Sequence, residues 1–235
     1  RISALTFDRA LTLIDGWVAR RERHYVNVCT THTVLECHDA PELAAIVNGA
    51  GMATPDGMPL VWLGRLRGHP VERVYGPDLM LAVCERGQAR GYRHFFYGGA
   101  EGVAETLAER LRARFPQLLV AGTYCPPFRP LTLAEEREVA ARINASGADI
   151  VWVGLGTPRQ DYWVARFRPM LTAPLLIAVG AAFAVTGMRT LMALLAPPGK
   201  LAAYFGLYSF VGKATAFVGP FLVGIITSAT GSLRP

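Results

Sequence analysis

The chain has 235 residues, of which 51% are hydrophobic and 18% charged. This supplies core for one generous domain, or a domain with an appendage, and excludes a disordered chain or a disulfide-stapled miniprotein. The formal charge of +6 is unevenly placed. All 18 acidic residues lie at or before Asp161, balanced by 18 basic ones, and six cations (Arg166, Arg168, Arg189, Lys200, Lys213, Arg234) follow with no acid. They sit among apolar residues and form no dense basic patch, which points to a membrane surface as partner and away from nucleic acid.

An amphipathic helix is expected over Phe7–Arg20, then a strand at Tyr25–Thr30 and a helix at Pro41–Gly49. Helix Pro77–Arg90, strand Arg93–Tyr97, helix Gly102–Arg114 and strand Leu118–Ala121 follow. Helix Leu133–Ser146, strand Ile150–Gly154, helix Pro158–Pro169 and strand Leu175–Val179 complete the series. The strands are near-continuous apolar runs, the signature of a parallel sheet covered on both faces, and the alternation reads as an α/β domain. Thr132 with Glu135 forms a capping box, and Thr157 before Pro158 reads as an N-cap with proline at the first helical position. Residues 1–24 are charged and amphipathic and show no signal-peptide pattern. Cys29, Cys37, Cys84 and Cys125 form no C-x-x-C pair, so reduced thiols are expected and zinc is not.

Composition changes after Phe183. Leu191–Ala196 is followed by a Pro197-Pro198-Gly199 break, and Leu201–Ser228 is then almost uniformly apolar. A bilayer span needs about 20 such residues. Gly206, Gly212, Gly219 and Gly224 recur as on closely packed transmembrane helices. Lys213 within the run instead favours a buried or interfacial hairpin. An apolar helical tail is expected on either reading.

Three features could carry chemistry. Phe95–Gly102 ends a strand in G-G-x-x-G, which can hold a diphosphate on backbone N–H groups. The next strand ends in Gly122–Pro127 without the acid a nicotinamide dinucleotide requires. The turn Val153–Asp161 places Gln160 and Asp161 in a first helical turn, to read sugar hydroxyls or a uracil edge, or merely to cap the helix. In Thr54-Pro-Asp-Gly57, Asp56 is either ordinary turn chemistry or a general base. Arg73 is either an anion clamp or a surface partner of Glu72 or Asp78. Thr30-Thr31-His32 brings hydroxyls and an imidazole to the same sheet edge. No D-x-D, H-E-x-x-H, G-x-S-x-G or P-loop pattern occurs.

In this order, Tyr25–His32, TPDGMPLVW (Thr54–Trp62), RVYGPDLM (Arg73–Met80), FFYGG (Phe95–Gly99), FPQLLVAG (Phe115–Gly122), VGLGTPRQDYW (Val153–Trp163) and AVGAAF (Ala178–Phe183) resemble the WecG/TagA/CpsF glycosyltransferases. The resemblance covers residues 1–183. It implies a Rossmann-like α/β domain, an enzyme of cell-surface polysaccharide synthesis at the cytoplasmic face of the membrane. The reaction would be inverting and metal-independent, moving an N-acetylmannosamine-type sugar from UDP to a polyprenyl-diphosphate-linked acceptor, without a cofactor. Homo-oligomerisation is left open. Asp56 would be the base and Arg73 would steady the leaving diphosphate. Thr30, His32, Asp78, Gly98, Gly99, Gly156, Pro158, Gln160 and Asp161 would bind substrate. The family usually carries Glu where this chain has Asp161.

Beyond AVGAAF the family continues with an acidic residue and an Arg-rich appendage. Here Ala184 follows, and Arg189–Ser232 resembles a transmembrane portion of an Atg22-like major-facilitator transporter. Residues 184–235 therefore read as a foreign tail. The alternative reading of the whole is a nucleotide-sugar-binding remnant or fusion that lacks the appendage and does not turn over.

Overall fold

A computed structural model describes residues 1–179. The chain divides into units Arg1–Gly187 and Met188–Pro235, and the described residues all fall in the first. The expected apolar tail lies outside them. Among the described residues, no helix is long and apolar enough to cross a membrane.

The elements run α1 (Phe7–Arg20), β1 (His24–Cys29), α2 (Thr31–Asp39), α3 (Pro41–Asn48), β2 (Met52–Pro55), α4 (Met58–Leu66), α5 (Gly76–Arg90), β3 (Arg93–Gly98), α6 (Val103–Arg114), β4 (Leu119–Tyr124), α7 (Leu133–Ala145), β5 (Ile150–Gly154), α8 (Arg159–Phe167) and β6 (Leu175–Ala178). All six strands are parallel, in the order β2-β1-β6-β5-β3-β4. The sheet is covered on both faces, as the unbroken apolar strands require. Val26, Val28, Phe96, Trp152 and Ile177 point to the side of α1, α5 and α6. Phe95, Tyr97, Val151, Val153 and Leu176 point to α7 and α8. This two-residue alternation is strand geometry.

α1 shows why these segments become helices. Thr6 accepts the Arg9 N–H at its start, and Ala10, Leu11, Ile14, Trp17 and Val18 form one buried stripe. The Thr132/Glu135 capping box opens α7 as expected. The start of α8 differs from the expectation. Pro158 is the N-cap residue, behind a cis Thr157–Pro158 peptide, and no side-chain hydrogen bond caps the helix.

Three elements were not anticipated: β2, α2 and α4, the last over the apolar stretch Met58–Leu66. β2 is only four residues long and ends in proline, so it reads as the approach to a turn. α2 buries only Thr33, so it carries no apolar period to detect.

Candidate active site

The parallel strands end at one edge of the sheet, where ligands of open α/β folds bind. β3 leads outward to β4 and β5 leads the other way to β6, so the crevice between the β3 and β5 ends is a topological switch point. Gly98 closes β3 with φ 122°, and a Cβ there would lie 2.5 Å from the Gly154 carbonyl oxygen. Only glycine fits so close an approach. The Gly99 N–H donates to that same oxygen at 3.2 Å, tying the turn after β3 to the turn after β5. Gly156, with φ 77°, faces open space, and its carbonyl accepts the Gln160 N–H at 3.0 Å. The Pro158 carbonyl accepts the Asp161 N–H at 3.0 Å.

A second group forms at the end of β2. The Asp56 N–H donates to the Cys29 carbonyl at 2.9 Å, continuing the β1–β2 ladder one residue beyond the strand. Its carboxylate Oδ1 accepts from Arg73 Nη2 at 3.1 Å and Nε at 3.3 Å, and Arg73 Nε also donates to the Asp56 carbonyl. The Arg73 guanidinium lies 4.4 Å from the centre of the Tyr75 ring. Of the partners open to Arg73 from spacing, neither Glu72 nor Asp78 holds it. Glu72 accepts the Phe7 N–H, and Asp78 sits exposed in the first turn of α5.

Burial pushes the Asp56 carboxyl above the usual aspartate range. Arg73 pulls it back, Asp78 adds to the rise, and the Gly76 N–H at the start of α5 opposes it. The Asp56 side chain is 12% exposed and that of Arg73 45%, so the cation can reach a ligand while the carboxylate is largely shielded.

A third group lies beneath the crevice. Gln160 and Asp161 are both fully buried. Asp161 Oδ1 accepts from Asn27 Nδ2 at 2.5 Å, while Oδ2 has no hydrogen-bond partner. Burial raises the Asp161 carboxyl to about 6, against the opposing bond from Asn27. Cys29, whose backbone carbonyl accepts the Asp56 N–H, is fully buried, and its thiol is driven upward mainly by that burial. Asn27 did not stand out in the sequence. Its signal is a lone amide inside the apolar strand Tyr25–Cys29, which burial obliges to find a partner.

Thr30 and His32 are placed differently from these. The Thr30 hydroxyl caps α2, accepting the Thr33 N–H at 3.3 Å. His32 is exposed on the first turn of α2, with Nε2 3.7 Å from Glu36. The β2 and β5 ends are three strand spacings apart, about 14 Å, a span suited to an extended ligand.

Residues 1–190 match the family described as Glycosyl transferase WecG/TagA/CpsF, and residues 170–235 match one described as Vacuole effluxer Atg22 like. The two matches overlap at β6, which is hydrogen-bonded between β1 and β5. The chain is 31% identical over 151 residues to the N-acetylglucosaminyldiphosphoundecaprenol N-acetyl-beta-D-mannosaminyltransferase of Bacillus spizizenii. That alignment covers 64% of this chain, which spans little more than half (57%) of the relative's length. With a match that contains all six strands and every residue of the three groups, the chain belongs to the WecG/TagA/CpsF glycosyl transferase family.

Proposed function

We propose that the chain is an inverting, metal-independent glycosyltransferase moving an N-acetylmannosamine-type sugar from UDP to a polyprenyl-diphosphate-linked acceptor at the cytoplasmic membrane face. The observation that carries this reading is the Asp56–Arg73 pair, a shielded, proton-avid carboxylate under a half-exposed guanidinium at the ligand edge of the sheet. The acceptor hydroxyl gives its proton to Asp56 as its oxygen bonds the anomeric carbon. The bond from that carbon to the donor phosphate breaks from the opposite side, and its electron pair leaves with UDP. Arg73 offers its fork to the charge that develops on the diphosphate. The glycine turns after β3 and β5 leave room for the donor, with Gln160 and Asp161 beneath. Thr30, His32 and Asp78 are the remaining substrate-side positions in this reading.

The test is UDP release from UDP-N-acetylmannosamine with a short-chain polyprenyl-diphosphate N-acetylglucosamine, in the presence of a chelator. Turnover that survives the chelator and is lost in Asp56→Asn is the expected result. Undiminished turnover in that variant overturns the assignment of the base. The match of residues 170–235 to an unrelated family favours a second reading, a nucleotide-sugar-binding chain without turnover. UDP binding with no release on any acceptor would select it.

A further inference from the structure

Helices α2 and α4 carry apolar side chains on the outside. Of nine large hydrophobic residues exposed among the described residues, six lie here: Val34, Leu35, Met58, Trp62, Leu63 and Leu66. Each helix buries a single residue, Thr33 on α2 and Val61 on α4. Met58, Trp62 and Leu66 are spaced four apart and form one stripe along α4. Val34 and Leu63, one from each helix, line a shared cleft of about 370 Å³, so the two apolar faces adjoin. Apolar surface grouped in this way marks an interaction site.

Charge decides the partner. Residues 57–71 contain no acid, and Arg65 and Arg67 stand exposed at the end of α4. α2 carries two acids, Glu36, which faces His32, and Asp39, exposed at the far end of the helix one turn beyond Leu35, so the cations at the end of α4 set the charge of that half of the face. An exposed tryptophan beside leucines, followed by arginines, is the composition of a segment lying at the headgroup level of an anionic bilayer. α4 also starts two residues after Asp56. We propose that the α2/α4 face docks on an anionic phospholipid bilayer and so brings Asp56 to the surface from which a lipid-linked acceptor projects. This deepens the transferase reading above and rests on it for the identity of the acceptor.

Trp62 makes the face directly observable. It is 58% exposed, whereas Trp17, Trp152 and Trp163 are buried, and these four are all the tryptophans of the chain. The full chain is mixed with phosphatidylcholine/phosphatidylglycerol vesicles with and without brominated acyl chains. The expected result is quenching of the emission component that Trp62→Phe removes. Leu66→Glu should abolish that quenching, and Arg67→Gln should weaken vesicle binding about fivefold, with unchanged thermal unfolding in both. Co-sedimentation without quenching of Trp62 would mean attachment through another part of the chain, and would overturn the proposal. Self-association lost in Leu66→Glu, without quenching, would assign the face to a second copy and overturn it equally. The transferase reading fails separately. A quenched but inactive chain keeps the docking face and loses the reaction, whereas turnover on a soluble short-chain acceptor without quenching does the reverse.

Discussion

Arg73 holds Asp56 at two points, the carboxylate oxygen Oδ1 and the backbone carbonyl, so the guanidinium fixes both the side chain and the turn that presents it. A carboxylate held in this way has one orientation to offer an incoming hydroxyl. Asp56→Asn keeps the shape and an acceptor oxygen but removes the basic site. Turnover should fall by about 10²–10⁴-fold with UDP affinity unchanged, checked by UDP-release kinetics and calorimetric titration.

Replacing Arg73 tests the electrostatics. The guanidinium opposes the burial-driven rise of the Asp56 carboxyl, so Arg73→Gln raises that carboxyl further. A base must be ionised to work. The acid limb of the pH–rate profile of Arg73→Gln should therefore move to higher pH than in the wild-type chain, in addition to any loss at the plateau. An acid limb that stays in place would show that Asp56 is not the titrating base.

At the switch point, Gly98→Ala forces a Cβ to within 2.5 Å of the Gly154 oxygen at a φ of 122°. The turns after β3 and β5 must separate. The variant should lose about 2 kcal/mol of stability or more in denaturant melts. Its UDP affinity should fall as well. Gly91→Ala, at a φ of 66° with open space around it, is the control that carries backbone strain without the clash.

Two buried groups set opposite pH dependences. Burial lowers His94 to about 4 from 6.5, and its Nδ1 accepts from Trp152 Nε1 at 3.0 Å, so the folded imidazole is neutral. As pH falls from 6.5 towards 4 the unfolded chain takes up a proton that the folded one refuses, and about 3 kcal/mol of stability is lost. Asp161 works the other way. Its folded carboxyl keeps a proton up to about 6 while the unfolded one releases it near 3.8, so stability falls by about 3 kcal/mol as pH rises through that window. In the wild-type chain the two contributions largely offset each other between pH 4 and 6. Asp161→Asn should expose the acid-side loss due to His94, and His94→Gln should leave the decline due to Asp161. Urea melts across this pH range check both.

The sheet was legible in the sequence because β1, β3, β5 and β6 are buried on both faces, and a strand so placed must be apolar along its length. β4, at the edge and half-buried, extends to Tyr124, three residues beyond the apolar run that announced it. β2 was illegible because four residues ending in proline cannot be told from a turn, and α2 because one buried threonine gives no period. The glycine turns were visible as such at strand ends, and Asp56 and Arg73 as residue types in loops. Their pairing was not. Spacing offered Arg73 two nearer carboxylates, and only the return of the chain from α4 to α5 beside β2 decides for the third. Asn27 and Asp161 are 134 residues apart, and such a contact has no local trace.

The position of β6 has a consequence for biosynthesis. β1 and β2 form one half of the sheet and β5, β3 and β4 the other, and within the sheet these halves touch only through β6. Asp56 belongs to one half, and Gly98, Gly154 and Gln160 to the other. On the ribosome the keystone strand is therefore the last of the six to emerge. Until residue 178 has cleared the exit tunnel, the nascent chain holds two half-sheets with their inner edges unpaired, open to chaperones and to mispairing. Asp56 and the glycine turns join one sheet only when this last strand pairs with both halves.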